Sequence, residues 1–147
     1  MSQNVLFNDG TRAFLATVSV SRIYDTTTAE SMINQASANP PRLKAGELYG
    51  LCTVTVKVLE TSDGGPVSLS ANDFSFYNSA GKKYRFSSIK APSMAGVSAF
   101  RGTVNVGGSL TGNLGYIYNS NDHSPRLAFG ADENGNGGAW MRLNDVY

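Results

Sequence analysis

Residues 46–60, GELYGLCTVTVKVLE, place Leu48, Gly50, Cys52, Val54, Val56 and Val58 on one parity and Thr53, Thr55 and Lys57 on the other. A period of two sustained over this length predicts a β-strand with one face in a core and the other toward water. Antiparallel sheets permit such a strand and parallel sheets rarely do, which favours an antiparallel β-sandwich. Leu51 and Leu59 interrupt the polar parity near its two ends. There the strand has to bend, change sheets or lie beneath a covering segment.

The same pattern recurs on either side. Residues 4–7 predict a short edge strand, and the turn formers Asn8, Asp9 and Gly10 separate it from residues 13–24, where Phe14, Ala16, Val18 and Val20 alternate with Leu15, Thr17, Ser19 and Ser21. Between residues 25 and 45 the alternation is lost. Thr27 and Glu30 have capping-box spacing and predict a single helical turn ahead of Met32 and Ile33, while Pro40 and Pro41 exclude a central strand. Beyond the long strand, Phe74 and Phe76, the Gly81-containing tip and the returning Tyr84 and Phe86 predict a β-hairpin. Residues 98–106, with Phe100, Gly102, Val104 and Val106 in step, predict a further strand, as do Leu114, Tyr116 and Tyr118. Leu127 with Phe129 and residues 140–146 predict two short closing strands. The total is eight or nine strands with no helix beyond about two turns, an all-β antiparallel sandwich in one domain spanning residues 1–147.

Composition narrows the function classes. Twelve Lys and Arg against 11 Asp and Glu leave a formal charge of +1, too weak a field to select nucleic acid. No apolar run approaches the length of a membrane span, and residues 1–12 lack the basic and apolar regions of a leader. The single Cys52 excludes an intramolecular disulfide, and its inward parity makes it a small hydrophobe.

GELYGLCTVTVKVLE, followed by LSANDFSFYNSAGKKYRF and then FRGTVNV and LGYIY, resembles a family of secreted or lipid-anchored bacterial Ig-like domains that includes the small mycobacterial secreted immunogenic proteins and telokin-like extracellular domains. The resemblance covers about residues 46–147. It implies an Ig-like β-sandwich, a location outside the cell or in its envelope, and no catalytic residues to carry over. The Cys, Trp, Cys constellation of antibody domains is absent, and so is an N-terminal lipid-attachment Cys.

Candidate chemistry is sparse. His123, between Asp122 and Ser124 and just before Pro125, sits in a turn-rich stretch and reads as a solvated loop residue rather than a general base. Asp132, Asn134, Asn136 and Gly137 match the opening of an EF-hand loop. Position twelve is then Leu143 where a bidentate Glu belongs, so tight calcium binding is not expected of the loop from Asp132 to Gly138, and no metal or cofactor is assigned. Lys82, Lys83, Tyr84 and Arg85 form a basic hairpin with an interleaved aromatic and are the candidate ligand-binding residues. Tyr84, Tyr116 and Tyr118 read as rim tyrosines with buried rings and wet hydroxyls. The sequence therefore predicts a non-enzymatic extracellular or cell-surface binding or adhesion module. Its expected partner is a protein or surface glycan, and self-association is compatible with the pattern. The alternative is a structural or assembly protein, such as a phage or surface-layer component, made without a leader.

Overall fold

A strand that is apolar on one parity for six positions has to be flanked by partners that satisfy its backbone on both edges. The computed structural model, which describes residues 2–36, 39–84, 98–131 and 137–143, shows those partners. Strand β3 (Glu47–Thr61) lies between β2 (Ala13–Ile23) and β7 (Ser109–Asn119), both antiparallel to it, and β1 (Ser2–Asn8) pairs with the far edge of β2. Val54 and Val56 face Val20 and Val18 across one ladder, and Gly112 and Leu110 across the other. Val54, Val56 and Val58 are buried on the inward face, while Lys57 is exposed on the outer one.

The second layer consists of shorter strands. β4 (Val67–Ser70) pairs with β6 (Arg101–Val104), and β5 (Phe74–Tyr77) pairs with β8 (Arg126–Phe129), which pairs with β9 (Ala139–Arg142). A 3-10 turn, Ala71–Asp73, links β4 to β5. Among the described residues this makes nine strands in an all-β antiparallel sandwich of the Ig-like class. Aromatic rings fill the space between the layers. Phe7 stacks on Phe14 at 4.7 Å, Phe129 meets Phe7 and Phe74, and Phe76 stacks on Tyr116 at 4.2 Å.

The layers are also tied at their margins by polar side chains. Arg12, in the β1–β2 turn, donates five hydrogen bonds, to Asp9, to the Ser68 carbonyl and to both oxygens of Asp73. That is the full donor count of a guanidinium, spent joining the first layer to the 3-10 turn of the second. Asp73 is fixed in turn by accepting from the Ser70 amide in a capping box. At the opposite end of β1, the Gln3 amide donates to the Trp140 carbonyl and accepts from the Trp140 N–H at 3.0 Å. This side chain occupies backbone groups of β9 that would otherwise form an open edge.

Three expectations change. The single helical turn is an 11-residue helix, α1 (Thr26–Ala36), capped two residues before Thr27 by Asp25, whose carboxylate accepts from the Thr28 N–H at 2.8 Å. Its stripe Ala29, Met32 and Ile33 covers the outer face of β3, so Tyr49 and Leu51 are buried there. The polar parity therefore faces water only along the second half of the strand. Thr53 is buried too, its hydroxyl donating to Asn113 Oδ1 at 2.7 Å. Leu59 is absorbed by a bulge, since Val58 pairs with Ala16 and Glu60 with Leu15. The strand expected over residues 98–106 ends at Val104, and Val106 is exposed in the turn that follows.

The register makes a direct prediction. Val56→Asp places a carboxylate between the layers and should cost more than about 3 kcal/mol, whereas Thr55→Asp, on the open half of the outer face, should cost far less. Equal losses in urea unfolding would contradict the assigned register.

Candidate functional site

The inward face of β3 and β7 outruns the second layer at one end. Leu48 pairs with Tyr118, and Gly50 with Tyr116, in the last rungs of the β3–β7 ladder. Opposite them the second layer stops at Pro125, just before β8, and at Leu143, just after β9; the Leu143 N–H donates to the Pro125 carbonyl at 2.7 Å. The result is a cleft of about 360 Å³ at the end of the sandwich. Its sides are completed by the junction of β2 with α1, at Tyr24, Asp25 and Thr26, and by the loop carrying Ser120, Asp122 and His123.

Tyr116 forms the floor because Gly50 faces it. A Cβ at Gly50 would stand 2.2 Å from the Tyr116 ring, so only glycine lets the ring lie flat across β3. The ring is 2% exposed and stacks on Phe76 at 4.2 Å. Burial raises the pKa of its phenol well above the usual value, so the hydroxyl stays protonated. Tyr118 lies 5.8 Å away at an interplanar angle of 45°, and its hydroxyl pairs with Thr26 Oγ at 2.8 Å, joining the β7 wall to the start of α1.

Asp122 is held from two sides. The Tyr84 hydroxyl donates to its Oδ2, and the Ser124 N–H donates to its Oδ1 at 3.1 Å. Burial and the Asp122 carboxylate together raise the Tyr84 phenol above its ordinary value. The loop backbone is anchored by the Ser120 N–H to the Gly46 carbonyl and by the Asp122 N–H to the Asn119 carbonyl. Asp25, exposed at the helix start, has its carboxyl lowered by the Thr28 N–H and hydroxyl. His123 is exposed on the cleft rim.

The four residues assigned from sequence are divided by the fold. Asn78 builds the hairpin turn, its carboxamide accepting from the amides of Ala80 and Lys82, and Lys82 and Lys83 are exposed on that turn. Tyr84 points inward, 9% exposed, toward Asp122. Arg85 and Phe86 lie outside the described residues, as do Asp132, Asn134 and Asn136 of the calcium-like loop. Among the described residues, no group of three His, Cys, Asp or Glu converges to hold a metal ion. Cys52 is fully buried, and desolvation pushes its thiol far above the usual range, which leaves it unreactive. A second depression, about 620 Å³, contains Arg12, Asp9 and Asp73, whose charges are already engaged with one another.

Asp25, Thr26, Leu48 and Ser120 were not singled out from the sequence. The Asp25–Thr28 spacing, an Asx cap, was the available signal for the first two. Ser120 and Leu48 enter the site only through strand register.

These features define an Ig-like β-sandwich with a tyrosine-floored cleft at one end. Among solved structures, the secreted protein MPT63 of Mycobacterium tuberculosis aligns over 97% of this chain and 92% of its own, with a TM-score of 0.59 at 15% identity. YcdA of Bacillus subtilis, assigned as a lipoprotein, aligns over 98% of this chain with a TM-score of 0.57 at 15% identity, and the aligned part is 39% of YcdA. No family model matches the chain, and no curated protein matches it. At this identity the likeness is one of fold, shared with a secreted protein and a lipoprotein. No helix among the described residues is long and apolar enough to cross a membrane.

Tyr84→Phe should lower stability by about 2 kcal/mol, because it removes a donor to a carboxylate from a largely buried position. The raised phenol also sets a sign. The folded state keeps its proton where the unfolded chain loses it, so stability is complete below pH ~10 and falls as pH rises beyond that. Denaturant midpoints at pH 7 and pH 11 test both points, and the alkaline loss should be smaller in Tyr84→Phe. An unchanged midpoint at pH 7 would contradict the Tyr84–Asp122 contact.

Proposed function

We propose that this protein is a non-enzymatic binding module acting outside the cell or in its envelope, with the end cleft as its ligand site. The observation that carries this reading is the cleft itself, about 360 Å³, in which Leu48, Tyr116, Tyr118 and Leu143 stand beside Asp25, Ser120 and Asp122. A concave site lined by aromatic and apolar side chains with a few fixed polar groups is the usual form of a ligand pocket. Each wall of the cleft comes from a different, anchored element, which holds the site in shape before anything binds. The fold shared with a secreted protein and a lipoprotein supports the location.

The non-enzymatic part rests on side-chain roles. The Asp122 carboxylate is engaged by Tyr84 and Ser124, and His123 beside it is exposed on the cleft rim. The exposed Lys82 and Lys83 belong to this reading as a basic surface for an acidic partner.

A fragment screen followed by backbone amide NMR tests the reading. Hits should perturb Tyr118, Ser120 and Asp122 together, and no ester, peptide or glycoside substrate should show turnover that disappears in His123→Ala. Hits scattered over the surface, or turnover lost with His123, would contradict it.

A further inference from the structure

We propose that the free edge of β1 is a self-association surface, on which a second copy of this chain adds antiparallel and joins the two four-stranded sheets into one. β1 is the outermost strand of its sheet, paired with β2 along one side, in a register that runs without a break from Ser2 to Asn8. The β1–β2 turn shows which backbone groups are spare. The Asp9 N–H donates to the Arg12 carbonyl, so the odd-numbered residues bond toward β2. The alternation of an antiparallel ladder then turns the N–H and C=O of Asn4, Leu6 and Asn8 outward. All three residues are exposed, and Leu6, at 74%, is the most exposed large hydrophobic side chain among the described residues.

Other edges of the sandwich are covered. The Leu143 N–H bonds to Pro125, which by the same alternation leaves the N–H and C=O of Trp140 on the outer edge of β9, and the Gln3 carboxamide takes both. Gln3 reaches them from the outside, so β9 stops inboard of β1 and leaves its edge unshielded. The Ser68 carbonyl of β4 receives Arg12. Among the described residues β1 receives no such cover, and its sequence, SQNVLFN, lacks the Lys, Pro or bulge that commonly keeps edge strands apart.

A second copy fits this edge because the strand is complementary to itself. With Leu6 on a two-fold axis, Leu6 meets Leu6 of the second copy and Asn4 meets its Asn8. Every outward N–H then faces an outward C=O, about six hydrogen bonds in all. The fit is also one of charge, since backbone dipoles of opposite sign meet and β1 has no ionised side chain for a copy to oppose with its like. The side chains agree with this register. Leu6 pairs with Leu15 across the β1–β2 ladder, so the two copies align four leucines in one row on the outer face and take the exposed pair out of water. A pair of seven-residue strands buries far less than the roughly 1,200 Å² of a standard interface, which makes the dimer weak and exchanging. The two-fold uses up the edge on both copies, so association stops at two. None of residues 2–8 lines the end cleft.

Sedimentation of the full chain from tens of micromolar to low millimolar should show the mean mass rising toward that of a dimer. Over the same series the amide NMR signals of Asn4, Leu6 and Asn8 should shift, while those of Tyr118, Ser120 and Asp122 hold still. Leu6→Lys and Leu6→Glu change a side chain already in water and should keep the unfolding midpoint. Each alone sets like charges face to face across the axis and should weaken association by about tenfold or more. Mixed in equal amounts, the two variants should associate again, because a lysine then faces a glutamate. Simple loss of a sticky leucine would not be recovered by mixing.

A chain that stays monomeric throughout would overturn the inference, even if an unrelated extended peptide shifts the same three amides. A dimer indifferent to Leu6→Lys would also overturn it, since association would then use another face. Growth beyond two copies, or a mixture of the two variants that stays monomeric, would contradict the two-fold at Leu6.

Discussion

Strand β3 is covered on both faces over its first half, and the architecture follows from meeting that constraint. On the inner face Cys52, Val54 and Val56 require a second layer, which β4 to β6 and β8 to β9 supply. On the outer face Tyr49 and Leu51 require a cover, which is α1. At roughly 25 cal/mol per Å² of apolar surface removed from water, either face left bare would cost several kcal/mol, a large fraction of the net stability of a domain. The helix is short and has few large apolar residues. It holds its place because Ala29 and Ile33 meet Leu51 and Tyr49, not because of intrinsic propensity.

That arrangement also creates the cleft. Capping by Asp25 ends β2 and starts α1 at the point where the first layer extends past the second. The cap carboxylate and the Thr26–Tyr118 contact thereby come to the mouth of the sandwich. Gly50 belongs to the same design, since a side chain there would displace the Tyr116 ring that forms the floor. Margins elsewhere are closed by side-chain hydrogen bonds of Arg12 and Gln3. Among the described margins, the end beside Asp122 is where tyrosine rings and acids meet.

Much of the fold was legible because an alternating strand announces itself locally. Val18, Val54, Val56 and Leu114 lie inward as their parity requires. The helix was harder to read. Its stripe uses Ala29 and a half-buried Met32 where a longer apolar run would have been visible, and the capping-box spacing at Thr27 drew attention from Asp25. The bulge at Leu59 resolves a residue whose parity had no place in a regular ladder. The cleft was not legible at all, because it assembles residues from Ile23 to Leu143 by register and loop closure. Tyr84 illustrates the limit. Its neighbours in sequence made it part of a basic tip, while its hydroxyl partner, Asp122, lies 38 positions away.

The account depends most on β3 being enclosed by β2, β7, the second layer and α1 together. Native-state amide hydrogen exchange measures this directly. The amides of Leu51, Cys52, Val54 and Val56 that bond within the sheet should exchange only through global unfolding, with a common free energy equal to that from denaturant. The outer strand β1, where Leu6 is 74% exposed, should open at lower cost. Exchange at Leu51 or Val54 as fast as in β1 would contradict the enclosure of β3, and with it the position of α1 and the shape of the cleft.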